Sequence, residues 1–120
     1  MKLKNVFICV SDIETSKCFY KELFGLEVII ESDGNVILTE GLVLQDINIW
    51  ENELGCKIIH ENKATGLYFE ENDMDAFIEK LNKYNSEIKI VTPYQVLPWG
   101  QKLIRLYDLD GNLIEVRSSN

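Results

Sequence analysis

The chain has 120 residues, of which 46% are hydrophobic and 27% charged, with a formal net charge of −8. That length and balance fit one folded domain with a sizeable core and exclude a disordered chain. So acidic a surface repels phosphates, which excludes nucleic acid as a partner. With no Lys/Arg run to meet an anionic membrane, the charge serves solubility or the attraction of a small cation.

Leu3–Val10 reads as a strand rich in Val, Ile and Phe. Ser11 and Glu14 form a capping-box pattern with Ser11 at the N-cap, and a helix is expected from there to Phe24. Ile13, Ser16, Tyr20 and Leu23 recur at helical spacing, and Gly25 supplies the stop. Leu26–Ile30 is a second strand, Asp33-Gly34-Asn35 a hairpin turn, Val36–Thr39 a third strand, and Glu40-Gly41 another turn. Leu42–Trp50 reads as a fourth strand. Glu51–Lys63 is polar, carries no sustained period, and reads as a connection with room for one helical turn.

The plan then repeats. Ala64–Glu70 is a strand, and Asn72 is the expected N-cap of a helix with acids in its first turn. Met74, Phe77, Ile78 and Leu81 lie at i, i+3, i+4 and i+7, a one-faced helix that fades near Tyr84-Asn85. Ile88–Val91 and Lys102–Asp108 are strands, Asp110-Gly111-Asn112 is a hairpin turn, and Leu113–Arg117 is the last strand. The two helix starts lie about 60 residues apart, so the halves read as two βαβββ modules, about 1–50 and 63–120, of a single α+β domain.

The start of the chain lacks a signal-peptide apolar region, and no stretch reaches the length of a membrane span, so a cytoplasmic location is expected. Cys9, Cys18 and Cys56 are odd in number and lack C-x-x-C spacing, which argues against a disulfide framework or a zinc site. Cys9 and Cys18 read as buried free thiols, and Cys56, in a loop, as exposed.

The segment VSDIETSKCFYKELFGLEV, with Val10, Asp12, Ser16, Phe19, Tyr20, Phe24, Gly25 and Leu26, resembles the first-helix pattern of the vicinal oxygen chelate superfamily. The segment WGQKLIRLYDLDGNLIEV resembles its C-terminal pattern through Trp99, Gly100, Asp108, Asp110, Gly111, Ile114 and Glu115, with Leu109 in place of the usual proline. That superfamily includes glyoxalase I, bleomycin-resistance proteins, fosfomycin-resistance enzymes and extradiol dioxygenases. The resemblance covers nearly the whole chain. It implies two modules whose sheets curl into a cup, with helices outside and a ligand inside, and it commonly goes with a homodimer.

The resemblance also implies four metal-ligand places on cup-facing strand positions, and strand alternation shows what stands in each. Asn5 occupies the first place, beside Phe7. Gln45 or a direct neighbour occupies the fourth-strand place, where a one-residue slip would reverse the face. Gly66 stands where a histidine is usual, beside Tyr68. Only Glu115 matches. One carboxylate with one or two amides is a poor transition-metal site, and His60 lies about six residues before the histidine place, in the connection. No metal and no cofactor are therefore expected. A divalent ion such as Ni, Zn or Mn, held in an atypical site with Gln45 and Glu115, is the alternative.

Arg105 shares a strand face with Tyr107, and its expected partner is Glu115, because a buried carboxylate requires a counter-charge. That pair reads equally as structure or as the polar end of a ligand site. Trp50 and Trp99 complete the candidate set. Trp99 sits in the loop Thr92–Gln101, stiffened by Pro93 and Pro98, and reads as a pocket rim. The candidate ligand-binding residues are thus Asn5, Phe7, Gln45, Trp50, Gly66, Tyr68, Trp99, Arg105, Tyr107 and Glu115, with Glu115 the one catalytic candidate. The function expected is binding of a small, partly aromatic or cationic molecule, as in metal-free bleomycin-resistance-type members. A metal-dependent lyase, isomerase or thiol transferase, and a structural partner with a vestigial cup, are the other readings.

Overall fold

Alternating apolar residues and well-placed turns give eight strands and three α-helices in a computed structural model that describes residues 1–84 and 87–119. The chain divides into two compact units, Met1–Ile59 and His60–Asn120. The first holds β1 (Val6–Val10), α1 (Ile13–Phe24), β2 (Val28–Ser32), β3 (Asn35–Leu38), β4 (Leu42–Asp46) and α2 (Ile47–Leu54). The second holds β5 (Gly66–Glu70), α3 (Met74–Lys83), β6 (Ile90–Val96), β7 (Lys102–Tyr107) and β8 (Leu113–Arg117). The class is α+β.

In the first unit the strand order is β1-β4-β3-β2. β1 and β4 run parallel, which the intervening helix and hairpin allow, and the other pairs are antiparallel. Ile8, Val10, Val36, Leu38, Leu42 and Leu44 are buried on one face, and α1 lies against β4 with Phe19, Tyr20 and Leu23 buried. Each such apolar side chain contributes roughly 1.5–3 kcal/mol on burial. Register fixes the face of Gln45. It pairs with Cys9 on β1 and with Asn35 on β3, and so shares a side with Phe7 and Val43.

The second unit repeats the order as β5-β8-β7-β6, again with one parallel pair at the edge. Ile104, Leu106, Ile114 and Val116 are buried on one face, as is the Met74, Phe77 and Leu81 stripe of α3.

Several boundaries differ from the sequence reading, each for a local reason. Asp12, not Ser11, caps α1, its carboxylate accepting from Thr15 N at 3.1 Å. Asp73, not Asn72, caps α3 in the same way through Ala76 N at 3.0 Å. At both sites an acid directly before the first helical residue reaches the third amide ahead, and its charge suits the positive helix end. α1 stops at Gly25, in the left-handed region at φ 69°, as read. Of the residues expected where α3 fades, Tyr84 follows the helix and Asn85 lies outside the described residues.

The fourth strand is shorter than its apolar run. Asp46 ends it by accepting from Asn48 N and Ile49 N, which starts α2, so Trp50 is helical. An Ile-Asn-Ile-Trp run serves a helix face as readily as a strand, and the cap decides. Conversely, β6 extends to Val96 through Pro93, which an edge strand tolerates. Cys18 is exposed rather than buried, because it sits on the outer side of α1, while Cys9 is buried.

Candidate functional site

The hairpin between β7 and β8 sets up a cluster of charged and aromatic side chains. Asp108 Oδ1 accepts from Asp110 N at 2.9 Å and Asn112 N at 2.8 Å, and Oδ2 accepts from Asn112 Nδ2 at 2.9 Å. Gly111 adopts φ 83°, which a side chain would resist. This turn fixes the register that places Arg105 directly opposite Glu115, Leu103 opposite Arg117 and Tyr107 opposite Leu113. On the other side of β8, Tyr68 pairs with Glu115. Directly paired residues share a sheet face, so Tyr68, Glu115 and Arg105 stand in a row across three strands.

Both oxygens of Glu115 are engaged. Arg105 Nε donates to Oε1 at 2.6 Å and Arg117 Nε donates to Oε2 at 3.1 Å. The side chains of Glu115, Arg117 and Arg105 keep 20%, 21% and 33% of their exposure, so the group is half-buried rather than sealed. Each guanidinium is steadied from a second side. Arg105 Nη1 donates to Thr92 Oγ1 on β6 at 3.3 Å, and Arg117 Nη1 donates to Gln101 Oε1 at 3.1 Å. The Arg117 guanidinium also lies 5.9 Å over the Tyr68 ring, a cation–π distance. Gln101 is buried. Its Oε1 accepts a second bond from Trp99 Nε1 at 3.1 Å, and its Nε2 donates to Ser118 O at 2.8 Å. Trp99, whose ring is anchored only by that N–H among the hydrogen bonds described, is 64% exposed, and Tyr68 is 60% exposed.

The structure therefore brings together Tyr68, Trp99, Arg105 and Glu115 from the expected set. It adds Arg117, Gln101 and Thr92. Arg117 was legible in principle: it lies two residues after Glu115 on one strand, and period two puts both on one face. Tyr107 belongs elsewhere. It is buried, with its hydroxyl donating to Glu61 O at 3.3 Å and Lys63 Nζ 5.5 Å from its ring centroid. The segment around Glu61 covers it, so Tyr107 is not an open ligand wall. His60 belongs to the same segment, its Nδ1 2.7 Å from Asp110 O. Gly66 lies on β5 beside Leu113, where a Cβ would come within 3.4 Å of the Leu113 side chain and carbonyl oxygen.

In the first unit, Asn5 precedes β1 instead of lying within it. Phe7 packs edge-on against Trp50 of α2, ring centroids 4.8 Å apart. Gln45 is half-buried beside Asn35, whose Oδ1 is buried without a hydrogen bond. A hollow of about 380 Å³ along α2 is lined by Asn48, Glu51, Asn52, Gly55, Cys56 and Lys57. Within neither unit do three or more His, Cys, Asp or Glu side chains gather to hold a metal ion, among the described residues. No helix among them is long and apolar enough to cross a membrane.

The paired modules, each with its parallel edge strand, and the C-terminal Asp-Gly hairpin agree with the comparisons. A family model described as Glyoxalase-like domain matches residues 3–120. The chain belongs to the glyoxalase-like domain family. Among solved structures, a protein of unknown function from Agrobacterium tumefaciens str. C58 is 28% identical at TM-score 0.82, over 100% of this chain and 95% of that one. A glyoxalase/bleomycin resistance protein/dioxygenase family enzyme from Burkholderia phytofirmans PsJN shares the fold at 16% identity and TM-score 0.77, over 96% of both chains. So does a lactoylglutathione lyase from Agrobacterium tumefaciens, at 20% identity and TM-score 0.71, over 98% of this chain and 93% of that one. No curated protein matches the sequence. The glyoxalase-like chain thus falls in the vicinal oxygen chelate superfamily, which holds enzymes among its folds.

Proposed function

We propose that this glyoxalase-like chain is a cytoplasmic small-molecule binding protein that works without a resident metal ion. The observation that carries the reading is the double occupation of Glu115 by Arg105 and Arg117. A divalent cation at that carboxylate would have to displace two guanidiniums and then sit beside their like charges, which Coulomb repulsion opposes. The other places offer little in return. Asn5 and Gln45 are amides, weak ligands for Ni, Zn or Mn, and Gly66 has no donor. The residues present do not fit the ion that catalytic relatives would hold there. The exposed rings of Tyr68 and Trp99 beside half-buried polar groups suit a partly aromatic ligand. Three cysteines free of disulfides accord with a reducing compartment. A second copy of the chain is the proposed protein partner. It would meet the edge strand β2, where Val28, Ile29 and Ile30 are exposed in the single chain.

Elemental analysis after incubation with Ni, Zn or Mn and exhaustive dialysis tests the metal-free reading. Well under one ion per chain is expected, with no change on Glu115→Ala. Stoichiometric retention that Glu115→Ala abolishes would overturn it in favour of a metal-dependent enzyme.

A further inference from the structure

The charge of this cluster runs against the charge of the chain. Two guanidiniums meet one carboxylate, so the half-buried Arg105, Glu115 and Arg117 together carry one excess positive charge in a protein whose net charge is −8, while the exposed Glu70 stands opposite Arg117 on β5. The donors are not used up. Arg105 is engaged through Nε and Nη1 by Glu115 and Thr92, and Arg117 through Nε and Nη1 by Glu115 and Gln101. A guanidinium has five N–H donors, so each Nη2 amino group remains without a hydrogen bond among the described residues. Both arginines are partly solvent-exposed, and both are held in orientation by their other bonds. A preorganised planar fork of this kind matches a carboxylate better than a point charge does.

The flanks are aromatic. Tyr68 stands beside Glu115 in register and under the Arg117 guanidinium, and Trp99 has its indole N–H tied to the same Gln101 oxygen that steadies Arg117. Both residues are otherwise largely exposed.

Resting on the small-molecule-binding reading, we infer that the ligand is an aromatic carboxylic acid: Arg105 and Arg117 donate to its carboxylate, and Tyr68 and Trp99 flank its ring. Glu115 is then a positioning residue that holds the two guanidiniums and leaves one charge for a monoanion to neutralise. A cation, which the overall charge would attract, meets a local excess of its own sign here. A phosphate dianion overfills the single excess charge and has no ring for the aromatic walls.

Titration calorimetry and tryptophan fluorescence with 2-naphthoate, the neutral 2-naphthamide, 2-naphthylmethylammonium and inorganic phosphate test this. Naphthoate is expected to bind about tenfold or more tighter than the amide, with the ammonium weakest of the three naphthalenes and phosphate weaker than naphthoate. Arg117→Gln is expected to bring naphthoate within about twofold of naphthamide while naphthamide binding persists, which shows that the variant is folded. Equal binding of naphthoate and naphthamide by the parent protein overturns the carboxylate assignment but leaves small-molecule binding standing. The ammonium binding tightest, or phosphate binding as tightly as naphthoate, also overturns it. Failure of all four probes overturns it as well, and stoichiometric metal retention through Glu115 then overturns the broader reading.

Discussion

Glu61 and Lys89 show how a single exposed pair can tie a segment to a sheet. Lys89 Nζ lies 2.7 Å from Glu61 Oε1. The hydrogen bond from Lys89, with its charge, holds the Glu61 carboxyl below its ordinary 4.5, and the same bond from Glu61 holds the Lys89 amine above its ordinary 10.5. A carboxyl lowered by folding stabilises above its unfolded value, and that contribution is lost as pH falls through the lowered value. A raised amine stabilises up to about 10.5, and its contribution is lost as pH rises through the raised value. Both groups are solvent-exposed, so the contribution to stability is small and screened by salt. A carbon-detected NMR titration should place the Glu61 midpoint below 4.5, with Lys89→Ala returning it toward 4.5. An unmoved midpoint in the variant would assign the lowering to another cause.

The β7–β8 hairpin is the element on which the charged cluster depends, because its turn decides which residue faces Glu115. Gly111 is its tightest point. Its φ is 83°, and an added Cβ would come 2.8 Å from Glu61 Cγ and 3.1 Å from Glu61 N. Glu61 N donates to Gly111 O at 3.1 Å, so backbone is close on that side and has little room to withdraw. Gly111→Ala should therefore cost roughly 1–3 kcal/mol in denaturant-monitored unfolding, from left-handed strain and from loosening of the 60–63 segment. A variant as stable as the parent would show that this segment moves aside freely. The same element explains what alternation could and could not reveal. Arg105 opposite Glu115 follows from the Asp110-Gly111-Asn112 turn and period two. The burial of Tyr107 depends on a polar connection, 46 residues earlier in sequence, lying over it, and no local pattern records that.

At the scale of the molecule, an acidic chain and a locally cationic cluster coexist because net charge sums over the surface while recognition reads a few side chains. The proposed self-association rests on β2, an edge strand whose three apolar residues are exposed in the single chain. Light scattering after size exclusion should give a dimer for the parent and a monomer for the Ile29→Lys/Ile30→Lys double variant, with circular dichroism unchanged. A monomeric parent chain, or a variant that remains dimeric, would remove β2 from that role.

The sequence by itself determined the α+β class, the repeated strand–helix plan, the helix stripes of α1 and α3 and the Arg105–Glu115 juxtaposition. All of these follow from periodicities of 2 and 3.6 and from short turns, which are local physics. Only the tertiary structure set Phe7 of β1 against Trp50, a contact that supports the helix which the local Asp46 cap starts after the Leu42 run. Only it brought Arg117, Gln101 and Thr92 onto the same few groups and drew the connection over Tyr107. Those arrangements depend on which distant backbones become neighbours, and a residue's own neighbours in sequence do not encode that.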